Sequence, residues 1–292
     1  MKFDYYHPML NFIYFVGAVF CMIFFDQPVF LLVSYTAAFI YSIKLNGKHG
    51  LLFNLSLIPA GILYVILYAD YNHYGVTSLG VNSIGNKITL EAICGGLSLS
   101  MRAMAVIMLM SCMFAVVSSD KVVYLFGRLS PKLSLFLSVL LRSVPRCKEK
   151  YRRIHLSRRG IGKGTGHGNV LQRCQNALSV LSIVITWTLE DFVESGISMK
   201  SRGYSLKGRT AFSIYRFDNR DRLATTGFAA CLCILYVTSA AGETQMFYNP
   251  EIMWKQVTPL SCFFYLIYMV FLLIPFGLQV IGEARMRRLR QF

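Results

Sequence analysis

Long apolar runs separated by short polar segments dominate the chain. A helix that crosses lipid needs about 20 mostly apolar residues, so stretches free of Asp, Glu, Lys and Arg mark the candidates. Twenty-one such residues lie between Asp4 and Asp26, and 17 between Asp26 and Lys44. The polar Asp26-Gln27-Pro28 separates two helices, because Pro28 suits a first turn and not an interior. A third run covers 51–69, a fourth 93–117 with Arg102 inside it, a fifth 223–240 and a sixth 257–281. The first run is expected to be a membrane helix and not a cleaved leader. It has Asp4 in its charged start and no clear small-residue cleavage site. A cation at mid-span costs about 2.5–3.5 kcal/mol on insertion scales, so Arg102 is expected to face protein and find an acceptor.

Between the fourth and fifth runs the pattern changes. "SPKLSLFLSVLLRSVPRCKEKYRRIHLSRRG" (130–160) opens with Ser130 as N-cap and Pro131 in the first turn. Leu133, Phe136, Leu140 and Val144 then recur at helical spacing. Pro145 removes a backbone donor and is expected to kink the helix. Beyond it the sequence turns basic and stops at Gly160. A second helix is predicted from about Val170 to Arg202. Its segment "ALSVLSIVITWTL" (177–189) is apolar almost all round but only 13 residues long. That length favours a buried helix over a span. Both helices are apolar enough to suggest packing against partner proteins. Both finish in Arg-Gly. A glycine after a helix accepts left-handed torsions, and a cation in the last turn complements the negative helix end by about 0.3–1 kcal/mol. A guanidinium at a helix tip also suits an acidic cleft, to which it bonds bidentately.

Composition sharpens the membrane reading. Of 292 residues, 55% are hydrophobic and 15% charged, against about 25% charged in ordinary soluble domains. Mean hydropathy is +0.49. The net charge of +16 would suggest nucleic acid in a soluble protein. Here it is assigned to cytoplasmic segments and anionic headgroups, and no nucleic-acid partner is expected. The segments 70–87 and 241–256 hold one cation each, Lys87 and Lys255. The 44–50 loop holds Lys44 and Lys48, the tail holds Arg285, Arg287, Arg288 and Arg290, and 120–222 holds 20 of the 30 Lys and Arg. The positive-inside rule then puts both termini in the cytoplasm of a multi-pass protein. The expected layout is an N-terminal unit of four membrane helices (1–119), cytoplasmic coupling helices (120–221), and two further membrane helices with a basic tail (222–292).

Little in the sequence supports catalysis. The eight cysteines form no CxxC and read as small buried hydrophobes, without a zinc site or disulfide framework. The five histidines make no HExxH. "RRGIGKGTGHG" lacks the Ser or Thr a phosphate loop needs after Lys163, and no strand precedes it. A flexible basic linker is the reading. Glu190, Asp191 and Glu194 are expected to be solvated or paired with nearby cations. No catalytic residue, metal or cofactor is assigned.

On these residues the chain resembles the transmembrane T component of energy-coupling factor (ECF) transporters, the CbiQ-like family. "SMKSRGYSLKGRTAFSIYRF" (198–217) is similar to that family's second arginine motif. The 129–160 segment, with Leu141-Arg142 and Pro145, is similar to its first coupling segment. The early "YHPMLNFIYFV" and Arg102 also fit. The family's triplet is usually Ala-Arg-Gly; here it reads Arg158-Arg159-Gly160 and Ser201-Arg202-Gly203. The resemblance implies an all-α polytopic membrane protein with about six transmembrane helices and a helical cytoplasmic coupling domain. It implies a non-catalytic subunit in a prokaryotic cell membrane, partnered by two ABC-type ATPases and a substrate-binding S component for micronutrient uptake (a vitamin or metal ion). The arginine tips would dock one into each ATPase. A membrane enzyme acting on lipid or phosphate headgroups is the competing class, and would need a polar catalytic cluster near the interface. A channel or secondary transporter would need paired charges or broken helices within the spans.

Overall fold

The computed structural model describes residues 6–81, 87–164, 166, 169–204, 215, 217–253 and 257–289, without the side chains of 128, 129, 131, 285–287 and 289. Asp4, His167, Arg216, Lys255 and Arg290, with the 205–214 stretch of the second motif, therefore lie outside the described residues. So do the side chains of Arg128, Arg285 and Arg287. The chain divides into two compact units, Met1–Ser118 with Tyr215–Phe292, and Ser119–Ile214.

In the first unit, α1 (Pro8–Phe24) starts at a proline whose preceding residue, His7, accepts from the Met9 N–H at 3.3 Å. Its 17 residues rise about 25 Å, slightly short of the roughly 30 Å hydrocarbon layer. α2 (Pro28–Tyr71) has 44 residues, about 66 Å if straight, which is twice what a bilayer needs. It is not straight. Gly47 takes φ 58° and ψ −133°, a combination open to glycine and costly for other residues. The Ser42 hydroxyl then donates to Asn54 Oδ1 at 3.1 Å. Twelve residues of straight helix would set those groups about 18 Å apart, so the two arms of α2 fold back on one another. Gly50 sits in the fold, where a Cβ would lie 2.7 Å from the Ser42 carbonyl oxygen. The second and third predicted spans are these arms. The predicted 44–50 loop is reduced to one glycine.

A short antiparallel hairpin follows, β1 (Ser78–Val81) and β2 (Lys87–Thr89), which the hydrophobic pattern did not predict. It leads into α3 (Leu90–Val116), capped by the Thr89 hydroxyl accepting from the Ala92 N–H at 3.3 Å. Small residues let α2 and α3 approach closely, as membrane helices do. Ser100 donates to the Gly61 carbonyl at 3.1 Å, and a Cβ on Gly96 would lie 3.0 Å from the Tyr68 ring. α7 (Asn219–Ala240) and α8 (Pro259–Leu289) complete the unit. The Tyr14 hydroxyl donates to the Leu272 carbonyl at 3.0 Å, and Ser34 and Tyr268 hydroxyls meet at 2.6 Å. These buried hydroxyls are paired, as a water-free interior demands. Around them Phe15, Phe30 and Phe271 are fully buried. The outer surface stays apolar, with Leu52, Leu67 and Phe114 exposed, and lipid is the solvent it suits.

Five described helices are long and apolar enough to cross a membrane, α2, α3, α6 (Val170–Ser201), α7 and α8. α1 is apolar but shorter, and α2 supplies two arms. The architecture is thus the all-α polytopic membrane fold expected. Within the chain itself most of 177–189 is exposed. α6 buries only Val180 and Val184 among its described residues.

The second unit holds α4 (Ser119–Leu129), α5 (Pro131–Gly160) and α6. α4 was not predicted. It turns at Ser130 and folds back on α5, with Ser134 Oγ donating to the Val123 carbonyl at 3.2 Å. Ser130 is the N-cap residue of α5, though its side chain makes no capping bond, and Pro131 fills the first turn. α5 continues through Pro145. α6 starts at a reciprocal cap between Asn169 and Gln172.

Candidate coupling tips and the intramembrane charge pair

α5 and α6 pack antiparallel. Ile154 of α5 lies with Val180 and Val184 of α6, Cys147 meets Thr188 at 3.4 Å, and Lys150 pairs with Asp191 at 2.5 Å. Lys150 also donates to the Trp187 carbonyl at 2.9 Å. Asp191 is therefore the carboxylate that finds a cation, in line with the reading of the acidic triplet. Antiparallel packing sends the two C-terminal ends in opposite directions. From the Cys147–Thr188 contact, Arg159 is carried about 18 Å one way and Arg202 about 21 Å the other.

Both ends are built by the same backbone device. At α6, Gly203 takes φ 76°, its N–H donates to the Lys200 carbonyl at 3.1 Å, and the Tyr204 N–H donates to the Met199 carbonyl at 3.2 Å. At α5, Gly162 takes φ 76°, its N–H donates to the Arg159 carbonyl at 3.1 Å, and the Lys163 N–H donates to the Arg158 carbonyl at 3.0 Å. Each is a Schellman cap, in which a left-handed residue lets two N–H groups satisfy carbonyls of the last turn. The two Arg-Gly pairs do not occupy the same place in it. Gly203 is the left-handed residue directly after Arg202. Gly160 is still helical, and Gly162 does that work two residues later. The expectation that each glycine stops its helix thus holds for Gly203 and is corrected for Gly160. Cap for cap, Arg202 corresponds to Ile161, and Arg159 to Lys200.

The side chains of Arg159 and Arg202 are exposed, Arg158 is half-buried, and Ser201 is exposed. Among the described residues no ion pair is recorded for the three arginines, whereas Arg153 one turn earlier pairs with Glu149. Two exposed guanidiniums thus stand at opposite ends of one helix pair.

In the first unit Arg102, near the middle of α3, pairs with Asp26 of the α1–α2 junction. The sequence predicted an acceptor without naming it. Asp26 was read only as a break between spans, although it is the carboxylate next to the first two apolar runs. The backbone N–H groups of Asp26 and Gln27 donate to the Thr244 carbonyl at 2.8 and 3.1 Å. One ion pair and two backbone bonds thus join the α1–α2 junction to α3 and to the segment after α7. On α2 and α8, Lys44 pairs with Glu283 at 2.8 Å. Among the described residues no group of three His, Cys, Asp or Glu side chains is placed to hold a metal ion.

A polytopic helical bundle joined to a second helical unit, with its charges paired inside and its cations presented at helix tips, is the form of a transporter's membrane subunit. The chain belongs to the CbiQ family, described as cobalt transport protein, whose family model matches residues 6–212. It is 23% identical over 195 residues to the energy-coupling factor transporter transmembrane protein EcfT of Staphylococcus aureus (strain 04-02981), covering 62% of this chain and 73% of that protein. The protein is therefore the transmembrane component of an ECF-type transport system, a prokaryotic membrane protein.

Proposed function

We propose that this chain is the T-component scaffold that couples ATP hydrolysis by two partner ABC-type ATPases to movement of a substrate-binding S component during micronutrient uptake. The observation that carries the reading is the pair of exposed arginines at opposite ends of antiparallel α5 and α6. One acidic cleft cannot hold two guanidiniums up to about 40 Å apart, whereas two ATPases can take one each. Arg159, with Arg158 and Gly160 beside it, docks at one end. Arg202, framed by Ser201 and Gly203, docks at the other. Nucleotide-driven approach of the ATPases would then act on both ends of one rigid pair and move the apolar faces of α5 and α6 against the S component. In this reading 120–221 is the cytoplasmic coupling domain, 1–119 and 222–292 are the membrane part, and both termini are cytoplasmic. The chain itself is not catalytic. Arg102 keeps a structural task, and Pro145 is the position at which α5 would kink.

The test is co-purification from detergent with the two ATPases, together with uptake in cells. A charge-assisted bond contributes about 1.5–3 kcal/mol net, and reversing its sign costs more. Arg159→Glu or Arg202→Glu is expected to weaken association at least tenfold, and the double variant to abolish association and uptake. Unchanged recovery of both ATPases with the double variant would refute the docking role.

A further inference from the structure

Between the first half of α5 and the second half of α6 runs an open groove of about 320 Å³. Its cations are Arg142, Arg146, Lys150 and Arg202, and its one carboxylate is Asp191. Asp191 is taken up by Lys150. Arg142, Arg146 and Lys150 follow one another at four-residue spacing on one face of α5, where like charges repel. Asp191 offsets only the last of them. Among the described residues, no ion pair is recorded for Arg142 or Arg146. The same groove is lined by Leu135, Val139, Phe192 and Met199.

The geometry points to a binding site for the phosphodiester headgroup of an anionic phospholipid, gripped by Arg142 and Arg146, with its acyl chain along the apolar wall. Guanidiniums suit a phosphate because their paired N–H groups match its oxygens. Cations alone would accept any phosphate. The apolar wall of Leu135, Val139, Phe192 and Met199 beside those cations favours an amphiphile over a free phosphate. The site uses residues separate from Arg159 at the α5 tip, and Arg202 at its far end is not needed for the grip. Its failure is therefore distinguishable from failure of the ATPase docking reading.

The experiment uses full-length protein in detergent, loaded with phosphatidylglycerol or phosphatidylcholine, with bound lipid counted by native mass spectrometry. Arg142→Gln with Arg146→Gln is compared with Lys148→Gln with Arg152→Gln, which removes the same charge from α5 outside the groove. At roughly fivefold per cation near an anionic surface, the groove pair is expected to lose bound phosphatidylglycerol at least tenfold. The control pair keeps it, and phosphatidylcholine binding is low throughout. Equal loss in both pairs would overturn the site in favour of bulk charge. Displacement of the lipid by millimolar inorganic phosphate would assign the groove to a free phosphate and overturn the lipid. Unchanged lipid with loss of a co-purifying ATPase would assign it to an acidic protein segment instead. Should the glutamine pair fail to fold by circular dichroism, Arg142→Lys with Arg146→Lys decides. It keeps the charge but loses the two-pronged bond. A severalfold loss is expected, and full retention counts against the guanidinium grip.

Discussion

Neutralising Asp26 isolates the cost of the charge inside the bundle. The Arg102 side chain is 18% exposed and that of Asp26 34%, so the pair sits mostly in protein with one edge uncovered. Breaking a fully buried pair by removing one partner costs about 3–5 kcal/mol, and exposed pairs contribute about 0–1. A pair one-fifth to one-third exposed falls between, so Asp26→Asn is expected to cost about 2–3 kcal/mol. Arg102→Met removes the cation and strands the carboxylate, the less buried partner of the two, so it should cost less, about 1–2 kcal/mol. Asp26→Asn with Arg102→Met leaves no charge unpaired. It should recover most of the loss and give a coupling of about 1.5 kcal/mol or more, within the range for contacting residues. Unfolding of the detergent-purified protein in graded denaturing detergent reads all four proteins. Additive losses, with the double variant the least stable, would mean that the pair does not hold α3 to the α1–α2 junction.

The remaining expectations test local devices. Gly162→Ala and Gly203→Ala each place a side chain in left-handed torsions and should loosen their helix tip by about 1–2 kcal/mol, read as faster hydrogen exchange at the amides of Lys163 and Tyr204. Gly160→Ala should do the reverse and stabilise α5 by up to about 1 kcal/mol, since Gly160 is helical and no atom lies within 4 Å of its Cβ position; faster exchange there would undo the assignment of the cap to Gly162. Gly47→Val should cost at least about 2 kcal/mol, because a branched residue resists φ 58°, and thermal melting should show it. Ile154→Ala should remove about 2–3 kcal/mol from the α5–α6 contact, seen as easier proteolytic cleavage in the 161–169 connection, with the first unit's melting unchanged.

Helix ends and apolar runs are local matters, and the sequence carried them. Ser130-Pro131 marked the start of α5, and Val170 the start of α6, because capping involves groups within four residues of each other. The spans were legible because each must hold about 20 apolar residues whatever its neighbours do, and the all-α class followed. The arginine motifs were legible as sequence, and so was the need of Arg102 for an acceptor. Tertiary structure decided the rest. Asp26 lies far from Arg102 along the chain and became its partner only when α3 packed beside the α1–α2 junction. The hairpin in α2 depended on Ser42 meeting Asn54 across Gly47, a contact no hydrophobic period encodes. Residues 177–189 were read as a buried helix because the stretch is short for a span, and which of its side chains α5 covers, Val180 and Val184, came only from the packing of the two helices. The two Arg-Gly pairs read alike in one dimension. Only the path of the backbone, left-handed at Gly162 in one case and Gly203 in the other, put their arginines at different places on the two tips.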